Sequence, residues 1–153
     1  MTLNDIKSAN WQLSAANPGD VVQGIDDINQ CIATIVITVP GSDPFRPTFG
    51  CGLHGMIDAP AATAAPVMAA RIRDSVTLWE PRIRVVKVSY SIEVENVRFK
   101  IEWQLINGFV FGDAEILLGI YDGIIKSSLY VAPGLYYGPA YIDEDGTLLI
   151  GPE

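Results

Sequence analysis

A change of hydrophobic period at Trp79-Glu80-Pro81-Arg82 constrains the fold of this chain more than any other feature. Over residues 65–79 the apolar positions recur at helical spacing, with charged residues on the other face. Pro81 ends this helix because its ring disfavours helical geometry at the preceding residue. Over residues 86–94 and 97–105 the apolar period changes to two. We therefore expect a helix followed directly by a β-hairpin.

The turn of this hairpin sets its predicted register. If Glu95-Asn96 forms a two-residue loop, the apolar residues of both strands share one face. The other face then sets Glu93 opposite Arg98, and such an opposite-charge pair stabilises an antiparallel ladder. The predicted pairs are Val94–Val97, Ile92–Phe99, Tyr90–Ile101 and Val88–Trp103.

Glu80, Arg82 and Arg84 occupy alternate positions where the helix gives way to the strand. In an extended chain they lie on one side, which continues into the apolar face, and unpaired charges there are costly. One interpretation is a local Glu80–Arg82 salt bridge, with a β-bulge near Val85-Val86 that turns the arginines outward. The other interpretation is a docking site prepared for another chain.

Length and composition restrict the class of protein. The chain has 153 residues, enough for one domain with a substantial core, and 49% of them are hydrophobic. No apolar run approaches the roughly 18 residues of a membrane span, and no secretory signal is visible at the N-terminus. The surplus of apolar residues therefore indicates burial against other subunits. A formal net charge of −8 argues against nucleic acid as the main partner.

The first 37 residues predict an arm, a hairpin and a helix. Residues 1–9 carry no pattern, and two short strands, Trp11 to Ala15 and Val21 to Gln23, flank the turn sequence of residues 17–20. A helix is expected from about Gly24, with one face formed by Ile25, Ile28, Ile32 and Ile35 or Val36. Asp26 and Asp27 fall in its first turn, where we interpret them as favourable charges for the helix dipole.

Residues 40–52 form a long loop whose prolines and glycines restrict the backbone. We expect Phe45 and Phe49 to pin this loop to the core. Arg46 is expected either to cap the first helix or to contact a partner. A second helix is expected to start at Asp58, with Pro60 near its first turn and Pro66 kinking or restarting it.

Turn sequences divide the remainder of the chain. Asn107-Gly108 predicts a third strand over residues 109–111, and Asp122-Gly123 predicts a hairpin between residues 116–121 and 124–131. Residues 132–153 are apolar but frequently interrupted by Gly and Pro, which is typical of a tail that becomes ordered against neighbouring subunits. These elements predict an α+β fold with two main helices packed on a small, mostly antiparallel sheet and an extended C-terminal segment.

The chain carries no convincing catalytic or metal-binding set. Cys31 and Cys51 are expected to be reduced, and Cys51 with His54 lacks the second ligand pair of a tetrahedral metal site. An acyl-transfer triad is not expected, since His54 is the chain's one histidine and no GxSxG motif is present.

Glycoside hydrolysis needs two carboxylates, and Glu80 as acid with Asp74 or Asp58 as its partner can be written down. Asp74 and Glu80 lie six residues apart near a helix end and so point to different faces. We expect no enzymatic activity and no cofactor.

Four segments, in this order, resemble one known family. They are Gly24-Ile25-Asp26-Asp27-Ile28-Asn29-Gln30-Cys31-Ile32, Thr38-Val39-Pro40-Gly41, Pro47-Thr48-Phe49-Gly50-Cys51-Gly52-Leu53 and Trp79-Glu80-Pro81-Arg82-Ile83. The family is the baseplate wedge proteins of contractile phage tails, which was once labelled lysozyme-like and has relatives in type VI secretion baseplates. The resemblance covers roughly residues 10–106.

The resemblance implies a structural subunit, whose core we place at residues 1–107. The segment after about Gly108 departs from the family because it looks longer than the family core, and we expect residues 108–153 to be a C-terminal extension ordered by partners. The resemblance also implies that the protein binds other wedge subunits and starts sheath assembly by sharing β-strands with the tail sheath protein, with the central hub as a further candidate partner. Nucleic acid and membrane are not among the expected partners. The residues expected to bind partners are Glu80, Pro81, Arg82, Arg84 and Arg46. The expected location is the tail baseplate of the virion, after assembly in the host cytoplasm.

Two other functions stay open at this stage. The first is a peptidoglycan-degrading enzyme of lysozyme type, whose activity would depend on Glu80. The second is a regulatory binding module of the anti-adaptor type, which shares this fold and would form a 1:1 complex with a cytosolic response regulator.

Overall fold

The computed structural model describes residues 6–93, 96–106, 110–121 and 124–127, together with four two-residue strands between residues 131 and 149. A hairpin of β1 (Trp11–Leu13) and β2 (Val21–Gln23) precedes helix α1 (Ile25–Ile37). A short 3₁₀ helix (Gly52–Met56) then leads to helix α2 (Ala61–Trp79). Strands β3 (Ile83–Ile92), β4 (Asn96–Leu105), β5 (Phe111–Tyr121) and β6 (Ile124–Ser127) follow. The two-residue strands are Val131–Ala132, Leu135–Tyr136, Tyr141–Ile142 and Leu148–Leu149.

The main sheet is antiparallel, with the strand order β3-β4-β5-β6. Helix α2 lies against β3 and β4, whereas α1 lies against β5 and α2. Every second residue of the two central strands is buried in the core, namely Val97, Phe99, Ile101 and Trp103 of β4 and Ala114, Ile116 and Leu118 of β5. The structure therefore confirms the predicted α+β class.

The central hairpin has the predicted faces but not the predicted register. Ile92 pairs with Val97 and Tyr90 with Phe99, two residues away from the expected pairs. The reason is the turn: the Glu93 N–H donates to the Asn96 carbonyl at 2.8 Å, so Asn96 begins β4 instead of belonging to the loop. A shift of two residues preserves the side-chain faces, since the period of a strand is two.

Arg98 links two strands through carboxylates on the outer face of the sheet. Its Nε lies 3.0 Å from Glu93 Oε1, which confirms the expected ion pair, and its Nη1 lies 3.0 Å from Glu115 Oε2 of β5. The expected position of Glu93 directly opposite Arg98 is wrong, because Arg98 pairs with Ser91. All three side chains are partly exposed, so these pairs add little to stability.

A β-bulge interrupts the β3–β4 ladder between Val85 and Lys87, as predicted. The extra residue is Val86, whose side chain is 57% exposed, so its expected place on the core face is wrong. Ile83 is buried instead, and Arg84 lies exposed on the strand between Ile83 and the bulge. The bulge thus lets an apolar strand begin directly after a charged segment.

Helix α2 runs unbroken from Ala61, so the expected start at Asp58 and the expected restart at Pro66 are both wrong. Asp58 has a positive φ of 70° and lies in the turn before the helix. Pro66 lacks the N–H that would bond the Ala62 carbonyl. Both residues are exposed, so water can take the place of that donor.

The N-terminal elements agree with the prediction. The hairpin pairs Trp11 with Gln23 and Leu13 with Val21. In α1 the apolar face is buried, except that Ile25 at the helix start is exposed.

The two phenylalanines in the loop after α1 differ in burial. Phe49 is buried and Phe45 is almost fully exposed, so the expected role of Phe45 as a core anchor is wrong.

The third strand is longer than expected, because β5 pairs with β4 from Phe111 to Gly119 and carries buried residues. The turns expected at Asn107-Gly108 and Asp122-Gly123 lie outside the described residues, as do the arm of residues 1–5 and the side chains of the C-terminal tail. In the part of the chain that the structure describes, no helix is long and apolar enough to cross a membrane. The proposed division of the chain near residue 107 stays a prediction.

Gly112 provides a test of how β4 and β5 pack. It pairs with Trp103, and a Cβ at Gly112 would overlap the carbons of the indole ring. We expect Gly112→Ala to lower the free energy of unfolding by about 1–3 kcal/mol through overpacking, measured by chemical denaturation. Gly55→Ala is the matched control, because a Cβ there meets no atom within 4 Å. Equal stability of the two variants would show that the indole ring is not held in this position.

Candidate functional site

Three polar side chains in the first half of α1 point into the protein. Asp27, Asn29 and Gln30 are all buried, although the helix lies near the surface. Burial of polar groups without partners is costly, so each should have a specific contact. Each does, and the contacts reach three different parts of the chain.

Asp27 binds Arg82, which lies 55 residues later at the start of the sheet. The Arg82 Nη1 donates to the Asp27 carboxylate at 2.6 Å. The same guanidinium holds Glu80 through two bonds, Nε to Oε1 at 2.6 Å and Nη2 to Oε2 at 2.7 Å. Arg82 therefore connects α1 with the end of α2 and the beginning of β3. We refer to Asp27, Glu80 and Arg82 as the hinge cluster.

The hinge cluster holds two buried carboxylates against one guanidinium. The side chains of Asp27 and Glu80 are 4% and 5% exposed, while that of Arg82 is 31% exposed. Hydrogen bonds from the guanidinium to Glu80 and then to Asp27 raise the pKa of Arg82, so the cation is permanent. Because both carboxylates depend on one cation, its loss would leave buried charges without a partner.

Cys31 lies one helical turn after Asp27 and completes the surroundings of Arg82. Its Sγ accepts from Arg82 Nη2 and from the Gln12 side chain, each at 3.3 Å. Burial, followed by the negative charges of Asp27 and Glu80, raises the pKa of this thiol. Cys31 is a free cysteine and acts here as a neutral acceptor.

The other two polar residues of α1 fix the helix to the hairpin and to the sheet. The Gln30 side chain donates to the Leu13 carbonyl at 2.8 Å and accepts from the Ala15 N–H at 2.9 Å. Asn29 accepts from the indole N–H of Trp103 at 3.1 Å. Because each hydrogen bond has a fixed direction, these contacts fix the rotation of α1 about its own axis and its distance from the sheet.

The predicted site residues fall into two groups. Glu80 and Arg82 form the expected local salt bridge and point inward, whereas Pro81 and Arg84 are exposed. Arg46 lies 2.9 Å from Asp43 and stacks over Phe49, whose ring meets Trp79 edge-on at 5.2 Å. The two rings thus connect Arg46 with Trp79, the residue directly before Glu80 of the hinge cluster. In the structure Arg46 contacts Asp43 and Phe49 of its own loop, which does not support the expected capping of α1.

Asp27 was missed at the sequence level because an acidic residue in the first turn of a helix has a simpler explanation. That explanation fits Asp26, which is exposed, but not Asp27. The available signal was the spacing: Asp27 lies four residues before Cys31 and five before Ile32, on the inward side of the helix.

The geometry does not suit hydrolysis of a glycoside. A general acid must reach its substrate and carry a proton, but both oxygens of Glu80 accept hydrogen bonds from Arg82 within the core. Asp74 is exposed and pairs with Arg73 at 3.0 Å, on another part of α2. Within the described residues, no group of three His, Cys, Asp or Glu side chains could hold a metal ion.

Removal of the shared cation provides a direct test of the hinge cluster. We expect Arg82→Ala to lower the free energy of unfolding by roughly 3 kcal/mol, the lower end of the range for broken buried pairs because the guanidinium is partly exposed. Arg84→Ala, an exposed arginine two residues later, should change it by less than about 0.5 kcal/mol. Urea denaturation of both variants gives the comparison, and equal values would exclude a structural role for the cluster.

Comparisons with known proteins agree with this architecture. The structure is similar to a crystal structure from Geobacter sulfurreducens described as a tail lysozyme, with a TM-score of 0.59 and 23% identity over 66% of this chain and 96% of that one. It is also similar to a chain of the anti-feeding prophage baseplate, with a TM-score of 0.51 and 21% identity over 67% of this chain and 85% of that one. At these identities the similarity shows the fold alone. Comparison with curated proteins gives no significant match.

The sequence itself carries the assignment to a family. The model of the family described as "Baseplate wedge protein gp25" matches residues 22–108, which include α1, the hinge cluster and the β3–β4 hairpin. This match covers more than half of the chain and confirms the resemblance found in its motifs. The chain therefore belongs to the baseplate wedge protein gp25 family of contractile injection systems.

Proposed function

We propose that this protein is a structural wedge subunit that binds other wedge proteins and initiates the sheath by adding a β-strand at the β3 edge. The observation that carries this proposal is the position of β3 in the sheet. Among the described residues β3 pairs with β4 and with no other strand. An edge strand offers unpaired N–H and C=O groups, which an extended segment of another protein can bond.

The alternation of hydrogen-bonded and non-hydrogen-bonded pairs between β3 and β4 indicates which main-chain groups of β3 face away from β4. Glu93 and Asn96 are joined by a main-chain hydrogen bond, so the pairs at every second position from them are hydrogen-bonded as well. The main-chain groups of the intervening residues then point away from β4. Those residues are Val88, Tyr90 and Ile92.

The two halves of β3 differ in their suitability for another strand. The bulge at Val86 and the exposed Arg84 and Lys87 disturb the first half, as is common where an edge is protected from pairing. Beyond Lys87 the register is regular to the end of the strand, and Tyr90 and Ile92 are exposed. We therefore assign the shared strand to residues 88–92.

The exposed residues next to Glu80 and Arg82 in the sequence are the proposed contact with other wedge subunits. Pro81 and Arg84 are exposed and follow directly from the hinge cluster, which fixes the backbone between them. In this proposal Arg84 meets the partner, and Glu80 acts indirectly because it is buried and holds Arg82. Assembly would take place in the host cytoplasm before the particle is complete.

Strand addition can be tested at Tyr90. Tyr90→Pro removes an N–H that points away from β4 and leaves the β3–β4 ladder bonded, because proline is tolerated at such edge positions. Tyr90→Ala is the matched control, since it loses the same ring but keeps the N–H. We expect baseplates with Tyr90→Pro to lack sheath and those with Tyr90→Ala to carry it, counted by electron microscopy of purified particles.

The fold of both variants must first be verified by circular dichroism and thermal unfolding. Normal sheath on baseplates that contain Tyr90→Pro would rule out strand addition at this edge. Loss of sheath with both variants would assign the effect to the ring of Tyr90 instead of the main chain, and would equally contradict the proposal.

The wedge contact can be tested at Arg84. We expect Arg84→Gln to reduce incorporation of the protein into baseplates several-fold, because an interface loses a charged donor while the fold keeps its stability. Arg73→Gln is the control, since Arg73 is an exposed arginine on α2 that pairs with its neighbour Asp74. Quantitative immunoblots of purified baseplates give the measurement. Equal incorporation of the two variants would remove Arg84 from the interface.

A further inference from the structure

The most exposed large apolar side chain among the described residues is Phe45, at 95% of its possible surface. It lies in the loop between α1 and the 3₁₀ helix. A single apolar side chain on a surface is ordinary, but a phenyl ring with almost no contact to its own protein is not. The loop around Phe45 decides how this exposure should be interpreted.

The backbone of the loop is closed by its own hydrogen bonds. Gly41 N–H donates to the Pro47 carbonyl at 2.8 Å, and Ser42 N–H donates to the Val39 carbonyl at 3.0 Å. At the base of the loop, Cys51 N–H donates to the Thr38 carbonyl at 2.9 Å. These hydrogen bonds between the two sides of the loop hold the segment that contains Phe45 in one conformation.

Asp43 holds the tip of the loop from within. Its Oδ1 accepts from the Phe45 N–H at 2.9 Å, and its Oδ2 accepts from Arg46 Nε at 2.9 Å. Those bonds also lower the pKa of Asp43, the bond from Phe45 contributing most. Arg46 in turn stacks over the buried ring of Phe49 at 4.1 Å. The backbone that carries the Phe45 ring is therefore held in place by Asp43 and Arg46, the charged residues next to it.

We infer that Phe45 is an anchor residue that inserts into an uncharged, apolar pocket on a different protein subunit of the baseplate. Preorganisation supports this inference, because a side chain whose backbone is already fixed loses little conformational entropy on binding. Aromatic anchors in apolar pockets commonly dominate the energy of an interface. Arg46, expected to bind a partner itself, becomes a positioning residue that holds the loop through Asp43 and Phe49.

The charges around Phe45 indicate which kind of partner it would bind. Asp43 and Arg46 neutralise each other beside the ring, so a charged pocket would gain nothing from them. A lipid surface is the less suitable partner, because the chain has a formal net charge of −8 and one phenyl ring is a weak membrane anchor. Membership of a baseplate family provides protein neighbours for an exposed anchor.

Competition between chains in one cell tests the inference without depending on the sheath. Differently tagged wild-type and Phe45→Ser chains are expressed in equal amounts, and their ratio is measured in purified baseplates, whether sheathed or not. We expect the variant to be depleted about thirty-fold, as for loss of an interface anchor. Phe45→Met should compete nearly equally, because its flexible apolar side chain can fill the same pocket. Thermal unfolding of purified Phe45→Ser should match wild type, since the ring has no packing to lose.

A photo-crosslinking residue identifies the partner. The full-length chain carrying p-benzoylphenylalanine in place of Phe45 should crosslink, in assembled baseplates, to one other subunit at an apolar segment. The same residue in place of the exposed Thr63 serves as the control.

Equal competition by Phe45→Ser, or a crosslink to a second copy of this chain, would overturn the inference. So would binding of the wild-type chain, but not of Phe45→Ser, to vesicles of phosphatidylethanolamine and phosphatidylglycerol. Since no readout involves the sheath, failure at Phe45 is distinguishable from failure of strand addition at Tyr90.

Discussion

The shared guanidinium of Arg82 is the interaction on which the arrangement of this protein depends. It bonds Glu80 at the end of α2, Asp27 in α1 and the thiol of Cys31, and it stands at the beginning of the sheet. Both carboxylates are buried, so neither has water as an alternative partner. A bidentate arginine also fixes direction as well as distance, which a lysine could not do. The position of α1 relative to the sheet follows from this geometry and from the bond between Asn29 and Trp103.

Much of the architecture could be predicted from the sequence because it depends on local signals. The change of period at Pro81, the salt bridge between Glu80 and Arg82, and the bulge before Lys87 all involve residues within a few positions of each other. Asp27 could not be assigned to Arg82 in this way. The two lie 55 residues apart, and a first-turn aspartate has an explanation that needs no partner.

The register of the hairpin and the place of Phe45 were wrong for different physical reasons. The predicted and observed registers differ by two residues and place the same side chains on the same faces, so the hydrophobic pattern could not distinguish them. The sequence predicts a core contact for Phe45, because large apolar side chains are usually buried. Its exposure follows from hydrogen bonds within the loop, between Asp43 and residues two and three positions later, which composition does not reveal.

One short motif therefore carries two kinds of residue. Glu80 and Arg82 are used inside the protein, whereas Pro81 between them and Arg84 after them are exposed. Loss of assembly after substitution of Arg82 would not by itself identify a contact, because the fold would be weakened as well. Exposed neighbours such as Arg84 separate the two effects.

The bulge at Val86 has a consequence for the edge on which it lies. A strand that joins β3 must stop where the backbone of the bulge turns out of register, so the ladder can extend over the five residues 88–92 alone. At 3.4 Å per residue this is about 17 Å. In the proposed strand addition, the bulge would limit the length of the added strand and fix its end point, so that copies of one partner would all attach at the same height.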